Sequence, residues 1–250
     1  MNMNIKLILE YDGTHYHGWQ SQAGSGRVTI QEILERSIRE LANEDIRTYS
    51  SGRTDAGVHA LGHAANFRTS NTMPPEAWAP ALNHLLPADI RVIESEEVPD
   101  DFHARFSAVG KIYQYRILNR PAPTALYRNY SWHIPMRLNM RTMRDAASVL
   151  VGANDFSAFR SSGCGAKSPV RTIISLEIKK TGDFIEIRIK ADGFLQYMAR
   201  NITGTLIEVG LGRFSTEHVK SILLSRDRTK AGRTAPPQGL FLIKVFYPEA

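Results

Sequence analysis

Short strand patterns and amphipathic helix patterns follow one another along the whole chain, and this succession starts twice. In the first part, apolar residues alternate over residues 5–11, which predicts a strand with one buried face. Thr29 and Glu32 then form a capping box before a helical pattern. Further strand patterns cover residues 46–49, 64–67 and 90–93, and a second helical pattern covers residues 76–85. Strands and helices mixed in this way predict an α+β fold.

The second succession begins near Arg105 and repeats the same kind of pattern. Gly182 and Asp183 lie between two strand patterns and predict a hairpin turn. Strands are predicted at residues 111–118, 173–178, 185–189 and 240–247, and helices at residues 140–151, 195–209 and 216–224. No linker of low complexity separates the two successions, so we expect two lobes, 1–104 and 105–250, with a cleft between them.

Charge separates the same two parts. Residues 1–104 hold 8 Lys and Arg against 15 Asp and Glu, whereas residues 105–250 hold 23 against 10. The basic balance predicts a polyanionic partner for the second part, because neutralised phosphates release counterions. A merely solvated basic face is the alternative. We expect phosphate contacts from Arg226, Arg228, Lys230 and Arg233.

Several classes of protein fit the sequence poorly. The single cysteine, Cys164, forms no internal disulfide, and with no export or membrane-spanning pattern this predicts a cytoplasmic protein. His59 and His63 are four residues apart but lack the Glu of a zinc-protease motif, so no metal site is expected. No phosphate-binding or dinucleotide-binding glycine motif is present, and we expect no nucleotide cofactor.

The segment from Ser51 to Ala60 is the most distinctive candidate for chemistry. It places Arg53 two residues before Asp55, inside a loop that contains Gly52 and Gly57. Glycines allow tight turns and the close approach of a ligand, and a carboxylate is a potential nucleophile or base. An Asp before a small residue and Gly is also common in ordinary turns. The loop alone therefore leaves both interpretations open.

Two further candidates lie in the second part. Tyr113 and Tyr115 occupy the same face of a predicted strand, where aromatic rings can stack on an unpaired base or fill a core. Arg200 lies on a mostly apolar predicted helix, where a guanidinium needs an anionic partner or a structural ion pair.

Taken together, these segments resemble the tRNA pseudouridine synthase A family from one end of the chain to the other. His63 is a departure, because it stands where that family usually has Gln. The segments that carry the resemblance are Tyr11-Asp12-Gly13-Thr14, Gly18-Trp19-Gln20, residues 52–60, Phe102-His103-Ala104-Arg105-Phe106, residues 111–115, Asp155-Phe156, Arg200-Asn201 and residues 235–240.

The resemblance implies two ferredoxin-like lobes side by side, with a continuous, mainly antiparallel sheet and a central cleft. It implies an isomerase that converts uridine to pseudouridine at positions thirty-eight, thirty-nine and forty of the tRNA anticodon stem-loop, without a cofactor or metal. It also implies a homodimer and a flipped target base. Asp55 is the implied essential carboxylate, Tyr113 packs on the target base, Arg200 orients Asp55, and Arg53 assists base extrusion.

Two other functions compete with this interpretation. A non-catalytic RNA-binding protein could use Tyr113 and Tyr115 as a stacking platform, but a carboxylate at Asp55 would then repel phosphates without a purpose. A hydrolase of another polyanion would need a second carboxylate or a metal, and the sequence offers no clear pair. Covalent attack at C1′ and removal of the C2′ proton both remain open as the role of Asp55.

Overall fold

The computed structural model describes residues 2–21 and 26–248, and its contacts divide the chain into two compact units. Unit 1 contains Met1–Val109 and Leu242–Ala250, and unit 2 contains Gly110–Phe241. Each unit combines helices with strands that pair mainly in antiparallel fashion. The mixed α+β fold is confirmed, while the separate roles expected for residues 1–104 and 105–250 stay a prediction.

Unit 1 begins with a three-stranded antiparallel arrangement in which the first strand is central. Its elements are β1 (Met3–Tyr11), α1 (Ile30–Ala42), β2 (Tyr49–Ser50), β3 (His59–Thr69), α2 (Trp78–Leu85) and β4 (Ile90–Val98). Strand β1 pairs with β3 on one side and β4 on the other, with Leu7 opposite both Ala65 and Ser95. The alternating pattern that predicted β1 is confirmed, since its apolar residues Ile5, Leu7 and Leu9 are fully buried on one face of the strand.

Helix α1 begins where the capping box predicted it. The Thr29 hydroxyl accepts a hydrogen bond from the Glu32 amide, and the Glu32 carboxylate accepts one from the Thr29 amide. Ile30, Leu34 and Ile38 are fully buried at intervals of four residues, so one face of the helix packs into the core. Helix α2 tolerates Pro80 because its first turn has no intrahelical partner for the missing amide.

Unit 2 contains an antiparallel sheet and three helices. Its elements are β5 (Gly110–Leu118), β6 (Trp132–His133), α3 (Met140–Ser148), β7 (Gly152–Asp155), β8 (Val170–Thr181), β9 (Phe184–Ala191), α4 (Met198–Gly210) and α5 (Thr216–Ser225). The strand order is β5-β9-β8-β7, and β6 pairs with β5 in parallel. Gly182, with φ of 57°, makes the predicted hairpin turn. The last strand, β10 (Leu240–Phe246), has its residues 242–246 in unit 1, next to β3.

Helix α4 is buried on nearly every side. Apolar Ile202 and Leu206 and polar Asn201, Thr203 and Thr205 all have no exposed surface. The helix begins at Met198 rather than at residue 195, because Tyr197 adopts a left-handed conformation with φ of 65°. Asn201 Nδ2 donates to Phe159 O, and the Thr205 hydroxyl accepts from the Gly232 amide, so these polar groups fix the segments around Arg200. Thr203 Oγ1 has no hydrogen-bond partner within the described residues.

Candidate active site

The loop between β2 and β3, residues 51–58, carries Arg53 and Asp55, and its backbone is fixed on both sides of Asp55. The carbonyl of Thr54 accepts a hydrogen bond of 3.1 Å from the Trp19 amide, and the carbonyl of Asp55 accepts one of 3.1 Å from the Val58 amide. The Gly57 amide donates to Tyr16 O at 3.2 Å, and Gly57 has φ of 77°. The half-buried Asp55 therefore stands on a rigid backbone.

Gly18 allows the neighbouring segment to approach this loop closely. A Cβ added at Gly18 would lie 2.4 Å from Thr54 O and 3.0 Å from Asp55 C, and the residue has φ of 84°. A side chain at this position would push directly against the backbone that carries the carboxylate. The requirement explains why glycine precedes Trp19 in the sequence motif.

A buried cluster of polar and aromatic side chains packs against the buried side of this loop. The Tyr11 hydroxyl lies 2.8 Å from Thr54 Oγ1 and 3.1 Å from His63 Nδ1. The His63 ring stacks on Trp19 with centroids 4.0 Å apart and an interplanar angle of 12°. His63, the departure from the family pattern, is thus a packing residue next to the loop that carries Asp55.

Arg53 is exposed, but its guanidinium begins a series of side-chain hydrogen bonds that reaches helix α1. Its Nε donates to Gln20 Oε1 at 3.1 Å, and Gln20 Nε2 donates to Gln31 Oε1 at 3.0 Å. Gln31 Nε2 donates in turn to Glu35 Oε1 at 3.0 Å, and this oxygen also accepts from the Thr48 amide at 2.9 Å. This series of hydrogen bonds from helix α1 orients the Arg53 side chain.

Gln31 and Glu35, which hold this hydrogen-bond chain behind Arg53, are absent from the sequence motifs. The available signal was their spacing of four residues on the same side of α1 as the core positions, where polar residues are unusual.

In unit 2, Tyr113 and Tyr115 lie on the same face of β5, as predicted, but they have different surroundings. The Tyr113 ring packs edge-on against Phe194, with centroids 4.8 Å apart. Tyr115 is almost completely buried, and its hydroxyl donates to Pro236 O at 2.7 Å. Burial raises the pKa of the Tyr115 phenol, outweighing the opposite effect of Arg200 and Arg233. Tyr115 is a protonated structural residue.

Arg200 lies in the first turn of α4 and is held by Ala235 from two directions. Its Nε donates to Ala235 O at 2.7 Å, and its own carbonyl accepts from the Ala235 amide at 3.1 Å. Its guanidinium also lies 4.9 Å from the centre of the Tyr197 ring. These contacts fix the direction of the Arg200 side chain within unit 2.

The segment of residues 227–235, which we call the α4 strap, presents Ala235 to Arg200. Arg228 donates to the carbonyls of Ala231 and Gly232 and to the side chains of Asn201 and Thr234, at 3.0 to 3.4 Å. Burial lowers the pKa of Arg228. We expected a phosphate contact from Arg228, but its guanidinium is committed to internal acceptors, which a count of charges could not show.

The structure brings Arg53 and Asp55 together on one loop of unit 1 and places Tyr113 and Arg200 in unit 2. His59 and His63, the pair weighed as a metal site, are both buried, and their Nδ1 atoms bond the Gly13 amide and the Tyr11 hydroxyl. Across residues 2–21 and 26–248, no group of three or more His, Cys, Asp or Glu side chains could hold a metal ion. None of the described helices is long and apolar enough to cross a membrane.

Comparison with known proteins settles the family. The family described as tRNA pseudouridine synthase matches residues 7–107 and 146–248. The chain belongs to this family. Members are isomerases that form pseudouridine in tRNA, so the resemblance found in the motifs is confirmed. The match includes Arg53, Asp55 and Arg200, whereas Tyr113 lies in the stretch between the two matched ranges.

Individual relatives are similar over nearly the whole chain. A tRNA pseudouridine synthase A from Thermoanaerobacter sp. (strain X514) is 50% identical over 244 residues, which cover 98% of this chain and 99% of the relative. A tRNA pseudouridine synthase A 2 from Clostridium tetani is 49% identical over 247 residues, covering 99% and 100%. The tRNA pseudouridine synthase A of Geobacter sp. (strain M21) is 48% identical over 247 residues, covering 98% and 99%.

Proposed function

We propose that this pseudouridine synthase acts on uridines thirty-eight to forty in the anticodon stem-loop of tRNA and uses Asp55 as its catalytic carboxylate. The observation that carries the proposal is the half-buried Asp55 on a loop whose backbone is hydrogen-bonded on both sides. A reacting group must be held within a fraction of an ångström of its productive position. The positions of the target uridines rest on the motif resemblance.

The reaction rearranges one nucleotide without oxidation or reduction. The bond from N1 to C1′ breaks, the uracil turns while it stays bound, and C5 bonds to C1′; the C5 proton is lost and N1 ends with a proton. Asp55 has one of two roles, covalent attack on C1′ or removal of the C2′ proton to give a glycal. Either role requires the ionised carboxylate, and neither requires a cofactor.

The remaining site residues have supporting roles in the proposal. Arg53, tied to Gln20 and exposed, assists extrusion of the target base, because unstacking costs a few kcal/mol and a side chain in the vacated space offsets part of that cost. Tyr113 packs on the flipped base, and Arg200 orients the carboxylate. The motif resemblance supports these two roles, together with the fixed side-chain direction of Arg200 within unit 2.

Mapping of pseudouridine in tRNA transcripts incubated with the purified protein tests the proposed substrate. We expect pseudouridine at positions thirty-eight to forty, and none when these uridines are replaced by cytidines. Modification of uridines elsewhere in the tRNA instead would contradict the proposed position.

We also propose a cytoplasmic homodimer. Sedimentation equilibrium tests the dimer: a mass near twice the 28.0 kDa of one chain is expected, and a monomer at micromolar concentration would contradict it.

A further inference from the structure

A cavity of about 340 Å³ lies in unit 2, outside the residues assigned to catalysis above. Its lining includes Thr124, Arg128, Trp132, His133 and Pro236. The volume is at the lower end of the range for ligand sites in proteins. Four of these five residues lie in the stretch between the two ranges that match the family.

The cavity is basic. Arg128 is exposed, and one of its five N–H groups donates to the carbonyl of Ala125. Beside the cavity, the Arg233 guanidinium lies 4.6 Å from the centre of the Trp132 ring. Among the side chains that line the cavity in the described chain, none is a carboxylate. One guanidinium in the lining and a second against the Trp132 ring, with no carboxylate among the lining side chains, favour an anionic ligand.

His133 adds a directed polar group to the same wall. Its Nε2 lies 2.8 Å from the carbonyl oxygen of Arg120, and a carbonyl can only accept, so Nε2 carries the hydrogen. The other ring nitrogen, Nδ1, is then an acceptor in the neutral ring, to which a ribose hydroxyl can donate.

Trp132 limits the kind of ligand that the cavity accepts. Only 7% of this residue is exposed, so the indole forms a floor rather than an open face for a stacked base. Recognition therefore depends on charge and hydrogen bonds, which suits a phosphate group and its ribose better than a nucleobase.

Pro236 connects the cavity with the strap that holds Arg200. The carbonyl of Pro236 accepts from the Tyr115 hydroxyl at 2.7 Å, and the carbonyl of the preceding Ala235 accepts from Arg200 Nε at 2.7 Å. A group bound against Pro236 is thus one residue along the chain from the anchor of Arg200. Phosphate contacts of this kind set the register of a nucleic acid on a protein without reading its sequence.

We propose that this cavity binds a backbone phosphodiester of the tRNA substrate, at a nucleotide other than the target uridine. The proposal rests on the proposed function only in that it takes tRNA as the ligand. Binding fixes the register of the RNA relative to the strap, through phosphate contacts with Arg128 and Arg233.

The test compares Arg128→Gln with Arg137→Gln, a matched control at an exposed arginine outside the cavity. Affinity for full-length tRNA is measured over a range of salt concentrations. We expect Arg128→Gln to reduce the slope of log K against log salt by about 0.9 for a contact in a duplex and about 0.7 for one in a single strand. Arg128→Lys should retain the slope, and Arg137→Gln should leave both slope and affinity unchanged.

A second measurement identifies the phosphate. Ligated tRNAs that carry one neutral methylphosphonate linkage each are bound to wild-type protein and to Arg128→Gln. We expect one linkage to weaken binding to the wild type and to have no additional effect on the variant. Equal effects of the linkages in both proteins would overturn the proposal, and so would a slope change as large in Arg137→Gln.

Inorganic phosphate provides the last arm, because a free anion shares the chemistry of the phosphodiester. Millimolar phosphate that binds at Arg128 while no tRNA linkage couples to it would show a free-anion site and overturn the proposal. Coupling without pseudouridine formation would refute the proposed function alone, and pseudouridine formation without coupling would refute the cavity proposal alone.

Discussion

Replacement of Gly204 by Ala tests whether the α4 strap controls the position of Arg200. Gly204 lies inside α4, and a Cβ added there would be 1.7 Å from Arg233 O and 2.9 Å from Arg233 C. Both atoms belong to backbone, so no rotation of a side chain relieves the clash. The strap must move away from the helix, and Ala235, two residues after Arg233, must move with it.

Two opposing terms determine the stability of this variant. In a helix interior, Ala is more favourable than Gly by about 1 kcal/mol. Overpacking of a tight contact costs about 1 to 3 kcal/mol, and a backbone obstacle places this contact at the upper end of that range. We expect a net loss of about 2 kcal/mol in the free energy of unfolding, which corresponds to a melting temperature lower by about 4 to 8 °C for a chain of this size.

Turnover should decrease as well, since the bond from Arg200 Nε to Ala235 O is broken or lengthened. A hydrogen bond from a charged donor contributes about 1.5 to 3 kcal/mol, and each 1.4 kcal/mol is a factor of ten in rate. We therefore expect kcat to fall by about tenfold or more under conditions where the variant is fully folded.

Gly210→Ala, on the same helix, is the matched control. The added atom would meet Met143 Sδ at 2.7 Å, Met143 Cγ at 3.0 Å and Leu138 Cδ2 at 3.0 Å. All three atoms belong to side chains, and the unbranched Met143 can change its conformation, whereas a backbone obstacle cannot. We expect a change in unfolding free energy below about 1 kcal/mol and an unchanged kcat. Thermal melts by circular dichroism and single-turnover assays measure both variants. A Gly204→Ala protein as stable and as active as wild type would refute the role of the strap.

Three further predictions concern the orientation of the site residues and the basic surface. Gln20→Leu, which removes the acceptor of Arg53 Nε, should lower kcat with little change in melting temperature. A kcat equal to that of the wild type would show that this hydrogen-bond chain does not contribute to catalysis. Tyr113→Phe should bind tRNA normally with a reduced single-turnover rate if its phenol handles the C5 proton. Tyr115→Phe should mainly lose stability, by about 1 kcal/mol, because its hydrogen bond to Pro236 O is lost. The opposite pattern would reverse the two assignments. Lys230→Gln should reduce the slope of log K against log salt for tRNA binding by about 0.7 to 0.9. Arg228→Gln should lower the melting temperature and change this slope little, because its guanidinium holds internal acceptors. Equal slopes in Lys230→Gln and wild type would remove Lys230 from the tRNA interface.

Local sequence signals predicted the helices of unit 1 well, because those signals act within one turn. Thr29 and Glu32 satisfy each other's amides at the start of α1, and no distant residue is needed to place that boundary. Strand β4 extends to Val98, five residues beyond the predicted end, because Glu94, Glu96 and Glu97 pair through their backbones with β1 while their side chains face solvent. Side-chain hydropathy carries no signal for such pairing.

The family motifs predict Asp55 and Arg200 as site residues, which stays a prediction, but the contacts that hold these residues could not be predicted. Arg228 and Asn201 are 27 residues apart in sequence, and their hydrogen bond forms only when the strap packs on α4. The chain from Arg53 through Gln20 to Gln31 likewise joins a loop, a turn and a helix. Long-range polar contacts depend on tertiary packing, whereas periodicity reports only which face of one element is apolar.

The most direct test of the central claim is single-turnover pseudouridine formation by Asp55→Asn, with tRNA affinity and melting temperature measured on the same protein. The substitution retains the size of the side chain and removes its charge and basicity. We expect pseudouridine formation to be abolished, the melting temperature to be retained, and tRNA binding to be equal to or tighter than that of the wild type, because an anion near phosphates has been removed. A folded Asp55→Asn protein that forms pseudouridine at the wild-type rate would contradict the account.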